Sequence, residues 1–126
     1  MRKAVTLFLL TIVALLITAC LAPAPKKKKE SYYQQQLCER LGGETEYVLK
    51  DRTRVDCLSD TYAVEVDFAR KWAESIGQSL YYAQMTGRHP AVGLIVNGEK
   101  DARYLKRLEL TAEKYGIKIF IIKKEE

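Results

Sequence analysis

Apolar and polar positions change rhythm several times along this chain, and each rhythm predicts an element. Residues 4–18 are an almost unbroken apolar run. Residues 31–41 are polar except for Leu37, Cys38 and Leu41 on one side, and they end at Gly42-Gly43, which suits a short helix and its stop. Residues 44–49, 54–58 and 63–67 read as three strands, joined by turns at Lys50-Asp51-Arg52 and Ser59-Asp60-Thr61. Phe68, Trp72, Ile76, Leu80 and Ala83 then recur at helical spacing, so Asp67 is expected to cap a helix running to Met85, with Gly87 as its stop. Residues 91–96 and 117–122 are continuous apolar runs, best accommodated as buried strands. Between them, residues 101–115 form an amphipathic helix through Tyr104, Leu105, Leu108 and Ala112. The order is helix, three-strand meander, helix, strand, helix, strand. It predicts one α/β domain over residues 31–126, a mixed sheet flanked by helices that closes in a right-handed parallel crossover.

The start of the chain bears on where that domain works. Met1-Arg2-Lys3 is a short basic lead, the apolar run follows, and Ala19 precedes Cys20. That layout is a secretory signal, too short and wrongly flanked for a good membrane span. Ile17-Thr18-Ala19-Cys20 resembles the bacterial lipobox, in which the cysteine becomes the lipidated first residue of the mature chain. The resemblance implies a signal peptide over residues 1–19, a lipid on Cys20 and a periplasm-facing place in the bacterial cell envelope. Leu21 stands where a retention signal would place Asp, which favours transfer to the outer membrane. Residues 20–30 form the linker: Pro23 and Pro25 favour an extended chain, and lysines 26–29 serve either anionic headgroups or a solvated spacer.

Charge and cysteine content narrow the domain further. The chain has 21 Lys and Arg against 16 Asp and Glu, but without Arg2, Lys3, lysines 26–29 and Glu30 the balance is 15 to 15. A strongly basic nucleic-acid-binding domain is therefore not expected. Cys38 and Cys57 remain once Cys20 is assigned, and in an oxidising compartment such a pair favours a disulfide over free thiols or a metal site. His89 is the only histidine and is followed by Pro90, so it is read as a loop residue, and Ser-His-Asp or Cys-His chemistry drops out.

The meander carries the candidate chemistry. A two-residue turn at Asp60-Thr61 sets Leu58 opposite Ala63, Cys57 opposite Val64, Asp56 opposite Glu65, Val55 opposite Val66 and Arg54 opposite Asp67. Asp56 and Glu65 then share a face about 5 Å apart. At an effective dielectric near 20 they repel by about 3 kcal/mol, which something must offset. Mg²⁺ or Mn²⁺ would do so, since such hard cations take oxygen ligands and need only one or two carboxylates. Lys71, one turn into the next helix, is the other candidate. Lys71, Gln78 and Tyr82 fall in one angular sector of that helix, because seven and eleven residues are close to whole turns. Two acids, a lysine, an amide and a phenol suit metal-assisted attack on a phosphodiester, with Lys71 steadying developing negative charge. The plainer alternative is a pair of half-exposed hairpin acids matched to Arg52 or Lys71.

These residues resemble the PD-(D/E)XK nuclease-like superfamily: Asp56 on the second strand, Glu65 on the third, and Gln78-Ser79-Leu80-Tyr81-Tyr82 on the following helix. The last stretch is similar to the Gln-x-x-x-Tyr element of the RecB-like branch. The resemblance implies a restriction-endonuclease-like core, a metal held by Asp56 and Glu65, and a catalytic set of Asp56, Glu65, Lys71, Gln78 and Tyr82 acting on nucleic acid. It departs in one place: the family lysine stands two residues after the third-strand acid, where this chain has Asp67. Lys71 is placed to replace it, while Asp67 is either a further metal ligand or the helix cap paired with Arg54. Two functions follow as expectations. One is a membrane-anchored, metal-dependent phosphodiesterase. The other is a catalytically inactive envelope lipoprotein that uses the same scaffold to bind a protein or ligand.

Overall fold

The two apolar runs near the C-terminus become a buried inner strand and one edge of a five-stranded sheet. The computed structural model describes residues 26–125, so the expected signal peptide over residues 1–19 and the expected lipidation at Cys20 lie outside the described residues. The elements are α1 (Glu30–Leu41), β1 (Glu44–Val48), β2 (Arg54–Leu58) and β3 (Tyr62–Phe68). A 3-10 turn (Ala69–Lys71) then leads into α2 (Trp72–Thr86), followed by β4 (His89–Val96), a second 3-10 turn (Gly98–Asp101), α3 (Ala102–Tyr115) and β5 (Lys118–Lys123). The strands lie side by side in chain order. β1, β2 and β3 are antiparallel, and β3–β4 and β4–β5 are parallel. This is the expected α/β class with a mixed sheet. No helix among the described residues is long and apolar enough to cross a membrane.

Strand alternation builds two cores. On one face Tyr33, Leu37 and Cys38 of α1 pack on Val64, Val66, Ala91, Ile95 and Ile122. On the other, Val92 and Leu94 meet Leu108 and Ala112 of α3, with Trp72, Ile76 and Leu80 of α2 against them. Gly93 lets α1 come close: a Cβ there would stand 2.7 Å from Leu37 Cδ2 and 3.1 Å from Val66 Cγ2. Cys38 and Cys57 sit at disulfide distance, Cα atoms 5.4 Å apart, and fasten α1 to β2. Gly43 passes over that bridge, where a Cβ would meet Cys57 Sγ at 2.7 Å.

Three expectations need correction. His89 is not in a loop but opens β4, exposed and paired with Tyr62. Pro90 is tolerated beside it because β5 pairs with β4 only from Ala91 onward. Asp67 does not cap α2; the turn at Ala69 follows Phe68 and neither helical start has a side-chain cap. Phe68 does not continue the α2 stripe but lies on the α1 side of the sheet. Trp72, Ile76 and Leu80 pack on the core as expected, and Ser75, Ser79 and Tyr82 are the most buried residues of α2. The serine hydroxyls donate to the carbonyls of Lys71 and Ile76, so the helix buries them without orphaned polar groups.

Candidate functional site: a carboxylate notch where two strands part

β2 and β3 are paired only near their shared turn. Cys57–Val64 and Leu58–Ala63 are in register as expected, and the ladder ends there. At Asp56 a side chain takes over from the backbone: Asp56 Oδ2 accepts the Val66 N–H at 2.7 Å. The Asp56 carbonyl instead accepts from Gln34 Nε2 of α1 at 2.9 Å, and the same amide donates to Glu46 Oε1 at 2.7 Å. Glu46 occupies the left-handed region at φ 55°, a cost an L-residue bears only when its surroundings hold it there. Arg54 Nη1 bonds Glu46 Oε2 at 3.0 Å, so its partner is Glu46 and not the expected Asp67.

The break also shows in the packing. Strict alternation would send Val55 and Cys57 to the same face. Instead Val55 packs with Ala63 and Tyr82, while Cys57 joins the α1 core. β2 thus turns at Asp56 and opens a notch against β3. Gln34 fills part of the gap and satisfies the backbone that the sheet leaves unpaired.

Acid side chains converge on this notch. Glu65 is buried at 5 % exposure, and its Oε2 has no hydrogen-bond partner. Burial, then the charges of Asp56 and Asp67, push its pKa up to about 9. Asp56 is raised to about 6, chiefly by burial, against the opposing Val66 N–H bond. Glu30, at the first turn of α1, is raised to about 7 by burial and then by Asp67. Asp67 is almost wholly buried and meets Lys71 Nζ at 3.1 Å, an ion pair that holds the ammonium's pKa above its ordinary value. Burial and mutual repulsion thus favour a proton on this pair, most strongly on Glu65.

The sequence-predicted residues come together unevenly. Asp56 and Glu65 are neighbours, as expected. Lys71 does return to the end of β3, but its partner there is Asp67. Gln78 Nε2 donates to Tyr82 Oη at 3.4 Å, and Gln78 Oε1 is buried without a partner. Tyr82 is mostly core; burial raises its pKa first, and the charges of Glu65 and Asp56 reach it as well. Sequence reasoning missed Glu30, assigned to the linker, and Gln34 and Glu46. Gln34 had a usable signal: it lies one turn before Cys38, so the Cys38–Cys57 pair carries it to β2.

Asp56 and Glu65 fit a hard divalent cation: two carboxyls close enough for the charge of Asp56 to raise Glu65, with a buried oxygen on Glu65 lacking any partner. Among the described residues, no three His, Cys, Asp or Glu side chains converge on one metal-sized position. Water or substrate phosphate would have to complete the shell. No family model, no curated protein and no solved structure matches this chain.

Proposed function

We propose that the chain is a lipid-anchored envelope protein whose notch is a divalent-metal-dependent phosphodiesterase site for nucleic acid, on a core of the PD-(D/E)XK, restriction-endonuclease-like kind. The observation that carries this is the Asp56–Glu65 pair, with the unpartnered Glu65 Oε2 at the point where β2 and β3 separate. A proton on Glu65 relieves the repulsion of the buried pair, and a cation in its place would relieve it too.

Asp56 and Glu65 would hold Mg²⁺ or Mn²⁺, which when bound polarises a phosphate oxygen and makes water a better nucleophile. The chain's own residues supply the rest. Asp56 keeps Oδ2 on the Val66 N–H, which fixes the carboxylate and leaves its other oxygen for ligation. Glu65 gives up its proton when it ligates. Lys71, steered by Asp67, takes the role of the lysine absent from β3 and faces developing charge on the phosphate. Gln78 and Tyr82 support the sheet face beneath the acids, and Tyr82 acts there as a positioning residue.

The test is cleavage of single- and double-stranded DNA and of RNA, in Mg²⁺, Mn²⁺ or EDTA. Asp56→Asn and Glu65→Gln are the informative variants, because Asn keeps an oxygen for the Val66 N–H and Gln keeps the shape of Glu65. Turnover that needs metal and is lost in both supports the proposal.

A second reading, a non-catalytic lipoprotein that binds a protein or ligand on this scaffold, is favoured by Asp67. That acid stands where a nuclease of this kind carries its lysine, and it engages Lys71 directly. A folded protein that binds Mg²⁺ yet cleaves none of the three substrates would decide for it.

A further inference from the structure

The two ends of the sheet differ in charge. β5 is an edge strand that pairs Lys118 with Ala91 at one end and Lys123 with Val96 at the other. At the second end, where β3, β4 and β5 finish, a groove is lined by Phe68, Arg70, Asn97, Lys100 and Lys124. Lys124 Nζ stands 5.7 Å over the Phe68 ring. The N-terminal tether arrives at this same end. Lys28 Nζ lies 4.2 Å over the Tyr32 ring, and Tyr32 Oη donates to the Glu125 carboxylate at 3.1 Å. The Glu125 N–H in turn donates to Tyr33 Oη at 3.0 Å. Lysines 26–29, Arg70, Lys71, Lys100, Lys123 and Lys124 thus gather at one end, against Glu30, Asp67, Glu99, Asp101 and Glu125.

We propose that this end is a docking face for an anionic bilayer surface and that it holds the carboxylate notch toward the headgroups. The inference rests on the reading that Cys20 carries the membrane anchor. Five residues separate Cys20 from Lys26, and the six steps extended span at most about 22 Å. A tether this short keeps the basic end within about three Debye lengths of the surface at physiological salt, with lysines 26–29 closer still. The cations surround the point where the tether meets the domain, while the rest of the domain is near charge balance. That distribution suits a plane of negative charge better than a nucleic-acid strand crossing the molecule. Glu30, Asp67 and Lys71 lie at the same end, so a docked domain meets its phosphodiester at the membrane surface.

The test uses the full chain with its modified N-terminus, reconstituted in vesicles of phosphatidylcholine alone or mixed with phosphatidylglycerol. Flotation with the phosphatidylcholine vesicles reads the anchor by itself. Lysine acetylation rates, resolved by mass spectrometry, read the face. Phosphatidylglycerol is expected to slow acetylation of Lys100, Lys123 and Lys124 several-fold, to leave Lys118 and Lys50 unchanged, and to lose its effect at high salt. Equal rates at Lys118 and Lys123 in a floating protein would overturn the face while leaving the anchor intact. Protection of the same lysines by a single-stranded oligonucleotide but not by phosphatidylglycerol would also overturn it, in favour of a nucleic-acid surface.

Discussion

Replacing Glu65 with glutamine removes a proton that the folded chain must otherwise hold. Glu65 has an ordinary pKa of 4.5 and is raised to about 9 in the fold, first by burial and then by Asp56 and Asp67. Between those values the folded state binds a proton that the unfolded state lacks. Stability therefore falls as pH rises, by about 1.4 kcal/mol per pH unit, and the loss ends above the folded pKa. At pH 7.5 the accumulated cost is on the order of 4 kcal/mol, a large share of the 5–15 kcal/mol typical of a domain. Glutamine keeps the shape and a hydrogen on the side facing Asp56, and it needs no proton. Glu65→Gln is thus expected to be more stable than the parent in EDTA at pH 7.5. Urea unfolding from pH 5 to 9, with the disulfide intact, measures this. The window from pH 8 to 9 is the cleanest, because Glu30 and Asp56, at about 7 and about 6, have largely titrated below it. The parent should lose stability there while the variant stays nearly flat. Parallel pH profiles, or a variant no more stable than the parent at pH 8, would refute the burial and charge argument.

Three other perturbations probe the frame around the notch. Reducing Cys38–Cys57 releases a link across 19 residues, and the unfolding free energy should fall by about 3 kcal/mol in paired urea titrations with and without reductant. Gly93→Ala places a Cβ against Leu37 and should cost about 1–3 kcal/mol; adding Leu37→Ala should recover part of it in a double-mutant cycle. Gln34→Ala leaves the Asp56 carbonyl without its partner, and should lower stability by about 1–3 kcal/mol while speeding amide hydrogen exchange at Val66.

Much of the frame was legible because periodicity and turn chemistry agree along the chain. The runs at 91–96 and 117–122 could only be satisfied as buried strands, and their parallel pairing follows from the helix between them. The hairpin register was readable at Leu58–Ala63 and Cys57–Val64, where apolar meets apolar on a short turn. It failed beyond Cys57, because Asp56 bonds Val66 through its side chain and Gln34 from a distant helix supplies the compensation. Local pattern carries no trace of such a substitution. The stripe on α2 held for Trp72, Ile76 and Leu80 but gave no sign of Ser75 and Ser79, which are buried because small hydroxyls that bond their own helix allow a close approach. Asp56, Glu65 and Lys71 were found from their spacing. Glu30 was not, because its place in the site depends on how α1 crosses the sheet.

The central claim is that a divalent cation displaces the Glu65 proton in the notch, and Mn²⁺ binding followed by electron paramagnetic resonance across pH tests it most directly. One ion per chain is expected, with affinity rising by about tenfold per pH unit toward pH 9 as a single proton is displaced, and with binding lost in Asp56→Asn and Glu65→Gln. Binding that ignores pH, or that survives in both variants, would contradict the account.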